Sequence, residues 1–340
     1  MFEHMADALA RPDLIRLTPR LHTLRFESMK VMSALGAVEQ LMADGVIQPG
    51  DTLVDSSSGV YAHALALACK KYGFHCHIVA SPIVDAALRA QLQVLGATIE
   101  QPHATDDAKL DQAGRVRKVI EYVDRHPRAH WMRQYHDQIH YRGYEFAAQS
   151  LLKQLDPTEL VLVGGVGSGA STGGLATALR RHGVDVKLVG IQPFGSISFA
   201  SQDVEDPEFL IAGLGSGIHF GNIAYDAYDE IHWIDFTYAR SGSIELLREH
   251  CVFAGLSSGA SYVVAQWQAS RAADGQRPVV FVTPDTGHRY VHTVFDDPGS
   301  AVVRDADPRV ITEPGHLELP WCVTDWRRYG VNFPRPKRES

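Results

Sequence analysis

Glycines, hydroxyls and one lysine carry the chemistry visible in this chain. The densest group is Gly164-Gly165-Val166-Gly167-Ser168-Gly169-Ala170-Ser171-Thr172-Gly173-Gly174, expected to follow a strand at Leu160–Val163 and to open a helix. Backbone N–H groups at a helix start attract an anion, and glycines let the chain close on a phosphate. Hydroxyls of Ser168, Ser171 and Thr172 can add donors. Residues 165–170 also fit the dinucleotide pattern GxGxxA, but an NAD site calls for an acid at the end of the next strand, where Gln192 stands. A simple phosphate cradle is preferred. A second group, Ser56-Ser57-Ser58-Gly59-Val60-Tyr61, suits a carboxylate or serves as an ordinary serine helix cap. Gly255–Gly259 matches the hydrolase elbow GxSxG around Ser257, with Asp285 and His288 following in hydrolase order; a packing turn is the alternative. Pro284–Tyr290 gathers a hydroxyl, a carboxylate, an imidazole and a guanidinium at one strand end, and Lys30 lies near the start of an apolar helix. His75 with His77, and His136 with His140, have ligand-like spacing but lack a third ligand, so no metal is expected.

Short apolar runs alternate with helical stretches. Strands are expected at Thr52–Asp55, His77–Ala80, Ala97–Glu100, Leu160–Val163, Val186–Gln192 and Val279–Val282. Helices are expected at Ala62–Lys71, Val84–Leu95, Leu110–Val123, Leu175–Arg181 and Ile244–His250. Such alternation implies largely parallel sheets covered on both faces, with ligands beyond the carboxyl ends of the strands. Asp156-Pro157 reads as a seam between two α/β halves.

With 340 residues the chain is long enough for about two domains. It is 45% hydrophobic and 21% charged, in the globular range. A formal charge of -8 argues against a nucleic-acid partner. No apolar run reaches the roughly 18–20 residues of a membrane span, and the start shows no signal pattern. The 4 cysteines have no CxxC spacing. A cytoplasmic enzyme is the expectation.

Taken in order, these segments resemble the cysteine synthase and cystathionine β-synthase family of pyridoxal-phosphate enzymes, over about Asp13 to Asp297. Asp13–Pro19 resembles the family's opening I-G-x-T-P-L, Phe26–Lys30 its E-x-x-N-P-x-G-S-x-K, and Ser57–Ala62 its T-S-G-N-T-G. Further on, Gln134 resembles the glutamine of Q-F-x-N. Gly167–Ser171 resembles G-T-G-G-T, Gly213–Gly217 G-I-G-x-G, Leu256–Ala260 I-S-S-G-A and Pro284–Tyr290 P-D-S-G-x-R-Y. The turn before the lysine is shortened, Val60 replaces the loop asparagine and Asp137 replaces another, which marks a divergent member.

The resemblance implies an α/β fold of two doubly wound, three-layer αβα domains, tryptophan synthase β-like (fold type II). It places residues 1–45 and 151–310 in a large cofactor-binding domain and 46–150 in a smaller mobile one, while the Pro- and Arg-rich composition of 311–340 reads as a tail or an arm on a partner subunit. Lys30 would carry pyridoxal 5'-phosphate and act in catalysis. Gly167, Ser168, Gly169, Ala170 and Ser171 would hold its phosphate, Thr286 would meet the pyridine nitrogen, and Val60 would lie beside the ring. Ser57, Ser58, Gly59, Tyr61, Gln134 and Gly213 would bind substrate. The implied reaction is β-elimination or β-replacement on O-acetylserine, O-phosphoserine or serine, in a homodimer. A relative that binds cofactor without turnover, and a serine hydrolase using Ser257, stand as alternatives.

Overall fold

The computed structural model describes residues 1–335 apart from 58, 82–85, 102–107, 208–212, 272–276, 298 and 300–306, and leaves the side chains of 108–111 aside. Ser58 and the expected helix start at Val84 therefore lie outside the described residues. The strands are β1 Asp13–Arg16, β2 Leu21–Arg25, β3 Thr52–Ser56, β4 His75–Val79, β5 Thr98–Glu100, β6 Ala129–Trp131, β7 Glu159–Gly165, β8 Asp185–Gln192, β9 Glu230–Ile234, β10 Val279–Thr283, β11 Arg309–Val310 and β12 Trp321–Asp325. The helices are α1 Met5–Leu9, α2 Lys30–Ala43, α3 Val60–Tyr72, α4 Ala86–Val94, α5 Ala108–Arg125, α6 Glu145–Leu155, α7 Ala170–Arg181, α8 Phe236–His250, α9 Leu256–Arg271 and α10 Trp326–Tyr329.

The chain divides into two compact units. The first comprises Met1–Arg11 and Ser28–Tyr144, the second Pro12–Glu27 and Glu145–Ser340. In the first, the strands run β5-β4-β3-β6, all parallel. Its core joins Leu53 and Ile78 of the sheet to Val31, Leu35 and Val38 of α2 and Leu65 of α3. Alanine-rich α3 is a strong helix former. It stops at Gly73, whose φ of 76° suits the left-handed cap, with Lys70 and Lys71 in the last turn. Helix α2 is pressed backbone to backbone on the 3-10 turn Gln138–Tyr144: a Cβ on Gly143 would come 1.9 Å from Met32 O, and one on Gly36 2.4 Å from Gly143 N.

In the second unit the order is β1-β2-β10-β7-β8-β9-β12-β11. The central run from β2 to β9 is parallel, while β1 and β12 pair antiparallel with their neighbours β2 and β9. Val161, Val163, Val189, Ile191 and Phe281 form the sheet side of its core, against Ile244 of α8 and Val264 of α9. Asp235 caps α8, its Oδ1 accepting the Tyr238 N–H at 2.8 Å.

The expected division is corrected at several points. Residues 28–45 pack in the first unit, since α2 buries its apolar face on α3, and the seam falls between Tyr144 and Glu145, ahead of α6 and Asp156. Residues 311–340 are not a simple tail, because β12 pairs in full register with β9 and Trp321, Cys322 and Val323 are buried. Strand β2 escaped the periodicity reading because His22 and Thr23 stand inside it. Both are buried, and Thr23 Oγ1 lies 2.6 Å from Thr283 Oγ1 on the neighbouring strand. Among the described residues, no helix is long and apolar enough to cross a membrane.

Candidate active site

The glycine-rich segment falls where β7 ends and α7 begins. Gly169 adopts φ 79° as the N-cap, so the chain turns sharply into the helix. The first helical bond of α7 runs from Gly173 N–H to Gly169 O. The N–H groups of Ser171 and Thr172 precede it and are left as anion donors, the Ala170 N–H lies 3.5 Å from Ser168 Oγ, and the turn holds no acidic residue. A Cβ at 167 would stand 2.5 Å from Gly213 O, and one at 169 would stand 3.0 Å from Ile223 Cα, so the cup admits only glycine without backbone movement. Ser168, Ala170 and Ser171 are buried around it.

The cup is braced by residues whose bracing role the sequence does not reveal. Gln192 is fully buried; its Nε2 donates to Val166 O at 2.5 Å and its Oε1 accepts from Ser196 Oγ at 3.0 Å. Gly215 N–H also donates to Val166 O, at 3.0 Å, tying the 213–215 turn to the cup. Thr172 Oγ1 sits 2.7 Å from the Tyr228 hydroxyl. A polar residue ending an otherwise apolar strand was the available signal for Gln192.

Thr286 lies beyond β10, half-buried and bridged to Ala254. His288 Nδ1 lies 3.0 Å from Thr286 Oγ1, and Tyr290 O–H donates to Asp285 Oδ2 at 3.1 Å. Burial raises Asp285 to about 6, and its Oδ1 has no hydrogen-bond partner among the described residues. This arrangement removes the hydrolase reading. His288 is exposed and meets Thr286 rather than Asp285, while Ser257 is buried in the first turn of α9 and not on a strand-to-helix elbow.

In the first unit, Lys30 is the first residue of α2 and is half-buried; withdrawal from water lowers its ammonium to about 8. Ser57 Oγ accepts the N–H groups of Ala62 at 3.1 Å and Gly59 at 3.4 Å, holding the loop into α3. Val60 opens that helix. The Tyr61 ring is buried and its hydroxyl lies 2.8 Å from His140 Nε2. Because His140 Nδ1 lies 3.0 Å from Asp137 O, Nδ1 carries the proton and Tyr61 is the donor. Desolvation lowers His140 to about 4, with the Lys30 charge a further cause, so the imidazole is neutral at pH 7. Gln134 is buried; its N–H donates to Asp55 Oδ2 at 2.9 Å and its Nε2 to Ser56 O at 2.8 Å. Asp55 had no sequence signal and His140 only its spacing from His136, because the role of each is defined by a distant partner. His77 is buried, 3.3 Å from Glu100 and stacked on Tyr122. Among the described residues, no trio of His, Cys, Asp or Glu is arranged to hold a metal.

Two features fit a phosphorylated aldehyde cofactor: a glycine cup with outward helix donors, and a lysine whose amine has a lowered proton affinity. The family model described as pyridoxal-phosphate dependent enzyme matches residues 20–285. The chain belongs to that family. Among curated relatives it is 31% identical over 275 residues to N-(2-amino-2-carboxyethyl)-L-glutamate synthase of Cupriavidus metallidurans, covering 79% of each chain. It is 27% identical to a cysteine synthase of Staphylococcus aureus, over 79% of this chain and 86% of the relative. The solved structure of an O-ureido-L-serine synthase superposes with a TM-score of 0.76 at 23% identity, covering 90% of this chain and 98% of that one. The fold is therefore that of the fold type II pyridoxal-phosphate enzymes, and the protein is a divergent, pyridoxal-phosphate dependent member of the cysteine synthase family.

Proposed function

We propose that this enzyme replaces the β-substituent of a serine-type amino acid, with Lys30 as its acid–base group. The observation that carries the reading is the Lys30 amine, placed at a helix start and lowered to about 8 by burial, which brings it near the neutral form a base requires. The relatives' names support the chemistry, since a 2-amino-2-carboxyethyl group is the carbon skeleton of serine without its hydroxyl. Pyridoxal phosphate supplies an electron sink that weakens bonds at the amino acid α-carbon.

The chain supplies the rest. Lys30 would carry the cofactor, and its Nζ would take the proton from Cα as the leaving group departs from Cβ, then return it once the nucleophile has added. The α7 N-terminus, with Gly167, Ser168, Gly169, Ala170 and Ser171, would hold the phosphate. Thr286 would offer a neutral hydroxyl at the pyridine nitrogen, where a carboxylate would stabilise a proton. Ser57, Gly59 and Gln134 would hold the substrate carboxylate. Leaving groups consistent with this site are those of O-acetylserine, O-phosphoserine and serine, and the glutamate-linked relative adds amines to thiols as candidate nucleophiles.

Borohydride reduction of the purified protein should fix the cofactor to Lys30, as read by peptide mass, and Lys30→Ala should abolish the adduct. An adduct on another lysine overturns the assignment. Mixing those amino acids with thiol and amine nucleophiles, followed by cofactor absorbance and product mass, then tests the reaction. A spectral change without product favours a binding-only relative, the reading to which Val60 points, because valine offers the cofactor no hydrogen bond.

A further inference from the structure

Directly beneath the Ser57 loop lies a buried carboxylate that the mechanism above does not use. Asp55, on β3, is 1% exposed. Its Oδ1 accepts the Ser56 N–H at 2.7 Å and the Trp131 indole N–H at 3.2 Å, and its Oδ2 accepts the Gln134 N–H at 2.9 Å. The donors come from β3, from the end of β6 and from the turn that follows it. Gln134 closes the circuit by donating from Nε2 to Ser56 O at 2.8 Å. Arg133, one residue earlier, holds φ 53°, a left-handed conformation that a side-chain-bearing residue adopts only when its surroundings impose it. That turn aims the Gln134 N–H at the carboxylate. An apolar residue at 55 would leave these donors buried and unpaired, whereas one carboxylate satisfies all of them.

We propose that Asp55 is a positioning residue for substrate: through Ser56 and Gln134 it sets the placement of the two segments that carry the carboxylate-binding groups. The inference rests on the proposed function, which gives Ser57 and Gln134 that role. The ionised acid suits the geometry best, because it accepts all three N–H groups strongly, whereas a protonated carboxyl accepts more weakly and must place its own hydrogen among those donors. Burial raises Asp55 to about 7, so alignment weakens as pH falls through that value. Its neighbours on β3 and β6 are uncharged. Burial raises Tyr61 of α3 and Tyr135, with the Asp55 charge a further cause, so both stay neutral. Among the described residues Arg115 of α5 brings a charge near, its Nη1 donating to Ser56 Oγ at 3.2 Å.

The test titrates the holoenzyme with L-serine, or with O-acetyl-L-serine if serine leaves the cofactor spectrum unchanged, between pH 5.5 and 8.5. Below pH 7 wild-type affinity should gain a limb of about tenfold per pH unit, the slope of a single proton, on top of the loss that protonation of the amino acid's amine imposes on every variant. Asp55→Asn should bind about ten- to a hundredfold more weakly, show no such limb, and keep its affinity for pyridoxal phosphate within about threefold. Unchanged ligand affinity with the same pH limb overturns the inference, as does cofactor affinity falling in step. Should Asp55→Asn not fold, wild-type tryptophan fluorescence decides: a step sharing the midpoint of the ligand profile and absent in Trp131→Phe supports it, and no shared midpoint overturns it. A wild-type spectrum indifferent to every amino acid tried instead sinks the proposed function, and the inference falls with it.

Discussion

Tyr61 is the residue where chemistry and architecture compete most directly. It stands at the start of α3, in a segment matched to a substrate-binding motif, yet its hydroxyl donates to His140 inside the first unit. His140 is fixed in one tautomer by Asp137 O and held neutral by burial. Removing the hydroxyl leaves Nε2 buried without a donor. Tyr61→Phe should therefore lower stability by about 1–3 kcal/mol, measured by urea denaturation, with little change in ligand affinity. A variant that keeps its stability but binds the amino acid poorly would show that the hydroxyl serves substrate instead. Lys30 sits in the same electrostatic neighbourhood, since its charge contributes to the depression of His140. By reciprocity a charged imidazole would depress Lys30 further, so a neutral His140 leaves the lysine at about 8.

At the scale of elements, the phosphate cup depends on the close approach of two turns. Gly167 lies under Gly213, and Val166 O accepts from both Gln192 and Gly215. A methyl group at 167 would meet a backbone oxygen at 2.5 Å, which neither turn can yield without breaking those bonds. Gly167→Ala should cost the apo-protein about 1–3 kcal/mol of overpacking and, as the cup deforms to relieve it, weaken pyridoxal phosphate binding by roughly ten- to a hundredfold. Equilibrium dialysis against the cofactor checks this. The elements themselves were largely legible: the strands at Thr52, His77, Ala97, Leu160, Val186 and Val279, and the helices that follow the first four of them, fall near where apolar runs and glycine turns place them. Strands β2 and β12 were not. The first carries His22 and Thr23 into a sheet interior, where neighbouring strands satisfy them, and the second follows Pro320 in a segment whose composition reads as tail.

Across the whole molecule, buried titratable groups set how stability responds to pH. Burial lowers the proton affinity of His22, His63, His77, His130, His140 and His232. Each takes up a proton more readily once unfolded, so its stabilising contribution is lost as pH falls below the ordinary value of 6.5. Asp55 and Asp285, raised to about 7 and about 6, and Asp229, raised by burial as well, act in the opposite sense: the folded state keeps their protons above the ordinary 3.8. The six histidines outnumber the three acids, so the urea midpoint should be lower at pH 5 than at pH 7.5. An equal or higher midpoint at pH 5 would show that the buried acids dominate.

What the sequence settled by itself is local in origin. Apolar periodicity and the glycine and serine turns at strand ends give an α/β fold with a phosphate cradle, because turn chemistry and strand alternation act over a few residues; the order of those motifs along the chain carries the resemblance to pyridoxal-phosphate enzymes. Tertiary structure alone decided which polar groups are buried and what they hold. Asp55 meets Gln134, Tyr61 meets His140 and Thr23 meets Thr283 across 79, 79 and 260 positions of sequence, respectively. A buried acid or imidazole has its charge and its role set by the partner it finds, and that partner is chosen only when distant strands close into a sheet.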